Sequence, residues 1–533
     1  MDRETGFLLP PDIRDWLPEG HLAWVLIDAV EALDLTALIS TYRLGGRGRR
    51  AYDPTMMLTL LVYAYCCGQS SSRQIERLCE HDTAFMVITG NQHPDHDTIA
   101  AFRQRHRELF KDLFTQVLGL CREAGLGQVG TIAVDGSKFR ANASSRANRT
   151  AAGIERVLAA EDPASAGPQG SAQGAFDLGG LVEDRLAAAE STDAAEDAEY
   201  GAGRRGDEPG EDMADPHRRR ARFAQAREKI RAREAATAAA AAARQTRYEQ
   251  ATAAREAYRA KHGRYPKGRP PTRPGTAEPG PPSRANTTDP DSRPLRTAQG
   301  FLQGFNAQAA VSDDQLVLAV EIVDQANDVG QLAAMTHAAL DNLAAAGIHD
   351  PVEAVLADTG YFHPGDLEAL HSAHRDHAGP EPLVPPNRDA LRDPAEQQPP
   401  RRQSARAKAM RARLAEPDPR ARYRRRGVTV EPVFGQIKAR ISDRFRLRGF
   451  DNVRAELALI ATAHNLRKLP HRPPAGHLRS SSRPRAHPAL RTAQTASHRD
   501  QRPSQPRHHP HPNNKVGPAH PSPPRSYKTR QAL

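Results

Sequence analysis

Apolar residues recur at helical spacing through the first part of the chain, in the stretches 21–39, 54–67, 71–79 and 97–124. Asp53-Pro54 and Asp97-Thr98 are expected helix starts: a capping aspartate, followed in the first case by a proline at the first helical position. The period then changes. Residues 130–140 read as a strand, and 305–311 and 315–323 read as two β-leaning runs around a Ser312-Asp313-Asp314 turn, the pattern of a hairpin. A helix is predicted over 327–346, a strand over 352–357, and a turn at His363-Pro364-Gly365-Asp366 before another helix. Residues 382–386 read as a short strand, 388–426 as a basic, mostly helical stretch, and 428–446 and 452–469 as two closing helices.

Two segments do not fit this rhythm. Residues 145–295 begin rich in Ala, Gly, Asp and Glu. They continue over 216–262 with Arg, Ala, Glu and Gln, where helix propensity is high but large apolar residues are few. A solvated helix or fraying helical hairpin is expected there, and irregular chain over the Pro, Gly and Arg rich 265–294. From 470 to 533 Pro, Arg, His and Ser follow one another without periodicity, so a disordered basic tail is expected. The organisation read from the pattern is a helical domain at 1–127, the first part of a core at 128–144, a charged insertion at 145–297, the rest of the core at 298–469 and the tail at 470–533. A strand, an antiparallel hairpin and then alternating helix and strand fit an α/β, ribonuclease-H-like core with a large helical and disordered insertion, preceded by an all-α domain.

Composition narrows the partners. Hydrophobic residues are 38% and aromatics 5% of the 533 residues, with 43 prolines and 38 glycines, so much of the length is expected not to enter a core. The net charge of +11 points to an anionic partner, nucleic acid rather than membrane. The competing reading is that the Arg and Ala richness merely reflects a GC-rich genome. The longest apolar run, around Met56 to Val62, is too short to span a bilayer. The polar N-terminus is no signal sequence, and Cys66, Cys67, Cys79 and Cys121 lack metal-ligand spacing. A cytoplasmic protein with cysteines as small core residues is expected. In the helical region, 68–78 and 90–106 are turns leading into short helices with Arg and Gln, compatible with helix-turn-helix DNA contact and equally with a plain helical bundle.

Three acids stand out. Asp135 ends the apolar run Thr131-Ile132-Ala133-Val134, and Asp358 ends another from Val352 to Ala357. Glu431 precedes Pro432 and is expected to open an amphipathic helix whose Val433, Phe434 and Ile437 pack against the sheet. Carboxylates at neighbouring strand ends and on a later helix can hold a pair of divalent cations for phosphoryl transfer. Gly136 and Gly360 are expected to leave backbone room for a phosphate, with Ser137, Thr359 and Tyr361 near enough to bond it. Lys438, seven residues after Glu431, shares its helix face roughly 10 Å along, within reach of flanking phosphates.

Asp135-Gly136-Ser137-Lys138, Phe305-Asn306-Ala307-Gln308-Ala309, Ala357-Asp358-Thr359-Gly360-Tyr361 and Val430-Glu431-Pro432-Val433-Phe434-Gly435-Gln436-Ile437-Lys438 resemble the DDE transposases of bacterial insertion sequences. So do Tyr52-Asp53-Pro54 and the closing Ala461-Thr462-Ala463-His464-Asn465-Leu466. The resemblance implies Asp135, Asp358 and Glu431 as catalytic acids binding two Mg²⁺ or Mn²⁺ ions. It also implies a helical N-terminal region that takes part in recognising terminal inverted repeats. By the same resemblance Tyr423, Arg426, Glu431 and Lys438 form a tyrosine–arginine–glutamate–lysine signature in which Tyr423, Arg426 and Lys438 bind DNA phosphate. Six residues separate Glu431 from Lys438 as that signature has it, but four rather than three separate Arg426 from Glu431.

The expected activity is strand cleavage and strand transfer on double-stranded DNA, at the inverted repeats and at a target, by a homodimer that brings two element ends together. A decayed copy that only binds element ends, and a nuclease that cuts without joining, are the competing readings.

Overall fold

Asp53 accepts hydrogen bonds from the amides of Thr55 and Met56 at 2.8 and 3.0 Å, so the helix expected at Pro54 starts where the capping chemistry puts it. The computed structural model describes residues 12–42, 51–160, 216–274, 283–298, 300–376, 379–398 and 403–469. The tail at 470–533 and the acid-rich first part of the insertion, 161–215, lie outside the described residues. The N-terminal helices are α1 Leu22–Ala32, α2 Thr36–Ser40, α3 Pro54–Cys66, α4 Ser72–His81, α5 Thr83–Thr89, α6 His96–Arg105 and α7 Leu109–Glu123. The single helix expected over 97–124 is two, α6 and α7, and its cap is Asp95, which accepts from Thr98 at 2.7 Å, not Asp97. Helix α5 is short, and Asp82 caps it by accepting from Ala84 and Phe85.

Strand β1, Thr131–Arg140, then opens the sheet. The insertion carries β2 Asn148–Thr150, α8 Ala151–Ala160, a single helix α9 Pro216–His262 and β3 Arg284–Asn286. The few apolar residues of α9 are spent at one end, where Phe223, Ala226 and Ile230 pack with Ile154 and Ala285 in a small separate core. The irregular chain expected over 265–294 therefore contains a strand. The sheet also resumes earlier than the expected boundary at 297, because β4, Arg293–Thr297, pairs with β5, Gly300–Ser312.

β6 Val317–Val323, α10 Leu332–Ala345, β7 Ala354–Leu356, α11 Pro364–Arg375 and β8 Glu381–Leu383 follow. The chain closes with α12 Ala405–Ala415, α13 Pro417–Arg424, α14 Arg426–Arg440 and α15 Phe450–Leu466. Strand β1 lies between β5, antiparallel, and β7, parallel; β8 continues the parallel side, while β4 and β6 share the far side of β5. The order β6-β5-β1-β7-β8 makes a mixed sheet with antiparallel strands on one flank and parallel strands on the other.

Helices α3 and α7 of the N-terminal part pack on α15, and one hydrophobic core runs from Ala23 through the sheet to Leu469. The break expected at 127 is thus a change of structural class within shared packing. Buried Glu456 on α15 stitches the two parts, accepting from the Tyr65 hydroxyl at 3.0 Å and from the amides of Arg446 and Leu447 at 2.9 and 2.8 Å. Cys66, Cys79 and Cys121 are buried as expected of core residues; Cys67 is exposed.

Candidate active site

The parallel pairing of β1 with β7 sets Thr131 beside Ala354, Ile132 beside Val355 and Ala133 beside Leu356. Continued by two residues, this register brings Asp135 alongside Asp358. Asp358 lies just past the end of β7, whereas Asp135 is in the middle of β1 and not at a strand end, because pairing with β5 carries β1 on to Arg140. Asp358 is extended, and its Oδ1 accepts from the Gly360 amide at 2.8 Å, which starts a short turn and fixes the carboxylate. Side chains alternate across a strand, so Asp135, Ser137 and Phe139 share one face of β1. Helix α14 covers that face: Phe434 approaches Phe139 at 6.2 Å between ring centroids, and Val433 and Ile437 are buried with it.

Glu431 does not open this helix. The chain enters α14 directly from α13 through Arg425, itself helical, so α14 begins at Arg426 and Pro432 lies inside it. A proline there lacks the N–H that would bond the carbonyl four residues back. That carbonyl, of Val428, instead accepts from Gln315 Nε2 at 2.9 Å, while Gln315 Oε1 accepts from Gln436 at 3.0 Å. Gln315 reaches this position from the β5–β6 turn with φ of 64°, in the left-handed region.

Arg426 joins two of the three acids. Its Nη2 is 3.1 Å from Asp135 Oδ2, its Nη1 donates to Glu431 Oε1 at 2.9 Å, and its side chain is only 13% exposed. Burial raises Asp135 to a pKa of about 6; Arg426 and the Gly136 amide oppose the rise, and Asp358 and Asp328 add to it. The Arg426 guanidinium is held charged above its ordinary value, because Asp135, Tyr423, Asp358 and Glu431 together outweigh its burial. Burial raises Tyr423 to about 12, against the pull of Arg426 and with Asp358, Asp135 and Glu431 adding to it. Tyr423, Arg426, Gly427 and Glu431 line one side of a cleft that Arg420 and Arg424 share.

Lys438 is turned toward the sheet and is not among the residues of that cleft. Its Nζ donates to Ser137 Oγ at 2.6 Å and to the Lys138 carbonyl at 2.9 Å, and lies 4.9 Å above the centre of the Phe139 ring. Burial lowers its pKa, with Asp443 opposing. Ser137 is therefore engaged with Lys438. Tyr361 is buried, and its hydroxyl donates to Gln308 Oε1, so neither group stands free for a phosphate as the sequence suggested. Arg103 and His106, grouped with exposed helix-turn-helix residues in the sequence reading, are buried: Arg103 donates to the Tyr65 hydroxyl and the Ser70 carbonyl, and His106 pairs with Tyr42. Gln104 and Arg105 are exposed.

A fourth acid, Asp328, was hidden in the sequence within the helix expected from 327. That helix begins at Leu332, and Asp328 lies in the preceding turn, where Gly330 takes φ of 82°. Its Oδ1 accepts from Asn306 at 3.0 Å and Gln308 at 2.7 Å. A Cβ on Gly136 would stand 2.5 Å from both Asp328 Oδ1 and Gln308 Nε2, so the room that glycine leaves is filled by this pair and not by a phosphate. The signal available in the sequence was the polar alternation of Asn306 and Gln308 in an otherwise apolar strand.

Among the described residues no three His, Cys, Asp or Glu side chains already stand grouped to hold a metal ion, and Arg426 occupies the gap between Asp135 and Glu431. The donor set nevertheless fits a hard cation. Every acidic group here offers carboxylate oxygen, the ligand Mg²⁺ and Mn²⁺ prefer, and the lodged guanidinium marks a place where positive charge is stable. Asp135, Asp358 and Glu431, with Asp328 adjoining, are the groups that could hold such ions.

Among the described residues no helix is long and apolar enough to cross a membrane. No curated protein and no solved structure matches the chain. Two families do: a Transposase domain (DUF772) over residues 11–105, and a Transposase DDE domain over residues 280–466. The first takes in helices α1 to α6, and the second runs from before β3 to the end of α15, including Asp358 and Glu431. The chain belongs to the DDE transposases of insertion sequences, enzymes that act on DNA.

Proposed function

We propose that this transposase binds the terminal inverted repeats of its element and catalyses strand cleavage and strand transfer there. In this reading Asp135, Asp358 and Glu431 are the catalytic acids that hold two divalent cations, Mg²⁺ or Mn²⁺. The observation that carries it is the meeting of Asp135 and Asp358 on adjacent parallel strands, with Glu431 linked to Asp135 through Arg426. The strand order β6-β5-β1-β7-β8, antiparallel then parallel, supports a ribonuclease-H-like core.

When bound, the cations supply an activated water or 3′-hydroxyl and stabilise the leaving oxygen in an in-line displacement. The chain's own residues organise the rest. The Gly360 amide fixes the Asp358 carboxylate, Lys438 ties α14 to β1, and Arg426 links Glu431 of that helix to Asp135. The cleft lined by Arg420, Tyr423, Arg424 and Arg426 suits the phosphate backbone of an element end. The N-terminal helices contribute to end recognition, and two chains act together as a dimer because two ends must be joined. The three acids are all present and two share a guanidinium, which favours an active enzyme over a decayed copy.

The test is incubation of the full chain with duplexes carrying the flanking inverted repeats, with Mg²⁺, Mn²⁺ or chelator, mapping cuts and joined products. Cation-dependent cuts at the repeat ends together with joined products are the expected result. Cuts without joining would identify a nuclease, and binding without cuts a relic.

A further inference from the structure

We propose that Asp328 is a fourth carboxylate of the cation-binding site, held in place by Asn306, Gln308 and Tyr361; this rests on the reading of Asp135, Asp358 and Glu431 as the metal-holding acids. Asp328 has no local structural task that accounts for its carboxylate. It does not cap α10, whose first amide, Leu332 N, is satisfied by Asp366 at 3.1 Å. No Lys, Arg or His pairs with it among the described residues.

Its surroundings are built around it. Asn306 and Gln308 are buried, on one face of β5, and both point amide hydrogens at the same oxygen, Oδ1. Two donors on one oxygen of a carboxylate fix its plane. Gln308 is itself set by the buried Tyr361 hydroxyl, three residues from Asp358, so its amide cannot flip without losing that bond. Glycine at 136 is what admits the pair beside β1.

The second oxygen, Oδ2, is left toward the acids. A Cβ placed on Gly360 would be 3.0 Å from Asp358 Oδ1 and 3.9 Å from Asp328 Oδ2, so one point in the turn lies beside both carboxylates. Asp328 also acts electrostatically on Asp135 and on the Tyr361 hydroxyl. Asp135, Asp358 and Glu431 already outnumber the one guanidinium of Arg426, and Asp328 adds a further negative charge beside Asp135 that an arriving divalent cation relieves. Asp328 thus approaches the Asp135–Asp358 pair from the opposite face of the sheet, with one oxygen engaged by amides and the other free to serve a cation, directly or through one of its waters.

The experiment is Mn²⁺ binding to the full chain without DNA, measured from the signal of free Mn²⁺ by electron paramagnetic resonance. Wild type, Asp328→Asn and Asp135→Asn are compared, and folding is checked by circular dichroism. Asparagine can present its carbonyl oxygen to Asn306 and Gln308, so D328N removes the charge and keeps the shape. D328N is expected to weaken Mn²⁺ binding about tenfold or more, and D135N at least as much. If D135N weakens binding while D328N stays within twofold of wild type, Asp328 is not part of the site. If D135N itself leaves binding unchanged, the reading of the three acids fails instead. Should D328N not fold, Gln308→Met keeps the volume while releasing Asp328 from one donor. It is then expected to weaken Mn²⁺ binding several-fold, and unchanged binding would overturn the proposal.

Discussion

Arg426, the first residue of α14, places its guanidinium 3.1 Å from the Asp135 carboxylate on β1, with both side chains less than one-fifth exposed. The contact neutralises one of the three acids and ties the helix carrying Glu431 to the central strand. Removing one partner of such a largely buried pair leaves an uncompensated charge, a loss of about 3 kcal/mol. Arg426→Gln is therefore expected to lower thermal stability in chelator. Added Mg²⁺ should raise the melting temperature of R426Q more than that of wild type, because the cation replaces the lost positive charge. Equal Mg²⁺ shifts in the two proteins would show that Arg426 does not stand where a cation is wanted.

Glu456 is a point of failure remote from the site. Glu456→Ala strands two backbone amides and the Tyr65 hydroxyl in the interior, and is expected to cost about 3 kcal/mol or more in denaturant unfolding. Glu456→Gln keeps an acceptor and should lose markedly less. Equal losses in the two variants would mean that packing, and not hydrogen bonding, joins the N-terminal helices to the sheet here.

Asp289 gives stability a pH dependence. It is fully buried where the insertion returns to the core, accepts from the Gly449 amide at 3.3 Å, and faces Asp291 and Arg448, with Lys229 bonded to Asp291 at 2.6 Å. Burial, helped by Asp291 and opposed by the Gly449 amide and Arg448, raises its pKa from 3.8 to about 6. The folded protein then binds the proton more tightly than the unfolded chain does. Stability contributed by this group is present below about pH 4 and is lost as pH rises through about 6. Asp289→Asn has no charge to bury. Its stability relative to wild type should grow across that window, by about 3 kcal/mol at most, and then level off. Unfolding of both proteins between pH 4 and 8 checks this, and a constant difference would contradict it.

Gln315 substitutes for the hydrogen bond that Pro432 cannot make. Gln315→Ala removes the donor to the Val428 carbonyl and the acceptor for Gln436, and is expected to cost about 1–2 kcal/mol. In a Pro432→Ala background, where the helix can satisfy Val428 itself, the same substitution should cost less. A double-mutant cycle measures that coupling, and strictly additive losses would sink it.

The legible part of this protein was its periodic part. Apolar spacing located the long helices, the hairpin around Asp313, the strand that carries Asp135 and the strand that ends just before Asp358, because those signals are local. Non-local pairing set what was missed. β4 looked irregular because a strand with Pro294 and three basic or polar neighbours gains its identity only from β5 beside it. The proline at 432 signalled a helix start, but α14 tolerates it through a glutamine from a distant turn. Lys438 read as a phosphate ligand from its helical phase, whereas the chain folds its ammonium onto Ser137. Asp328 carried no periodic signal at all, and only the β5 amides reveal it.

The central claim is that Asp135, Asp358 and Glu431 act together through bound cations. Its most direct measurement is strand cleavage of inverted-repeat duplexes in Mg²⁺ by Asp135→Asn, Asp358→Asn and Glu431→Gln, alongside end binding by the same proteins. Each variant keeps the shape of the acid and removes its charge, so each is expected to bind ends nearly as wild type does and to cut at least a hundredfold more slowly. Near-normal cleavage by any one of them would remove that residue from the site, and near-normal cleavage by all three would contradict the account.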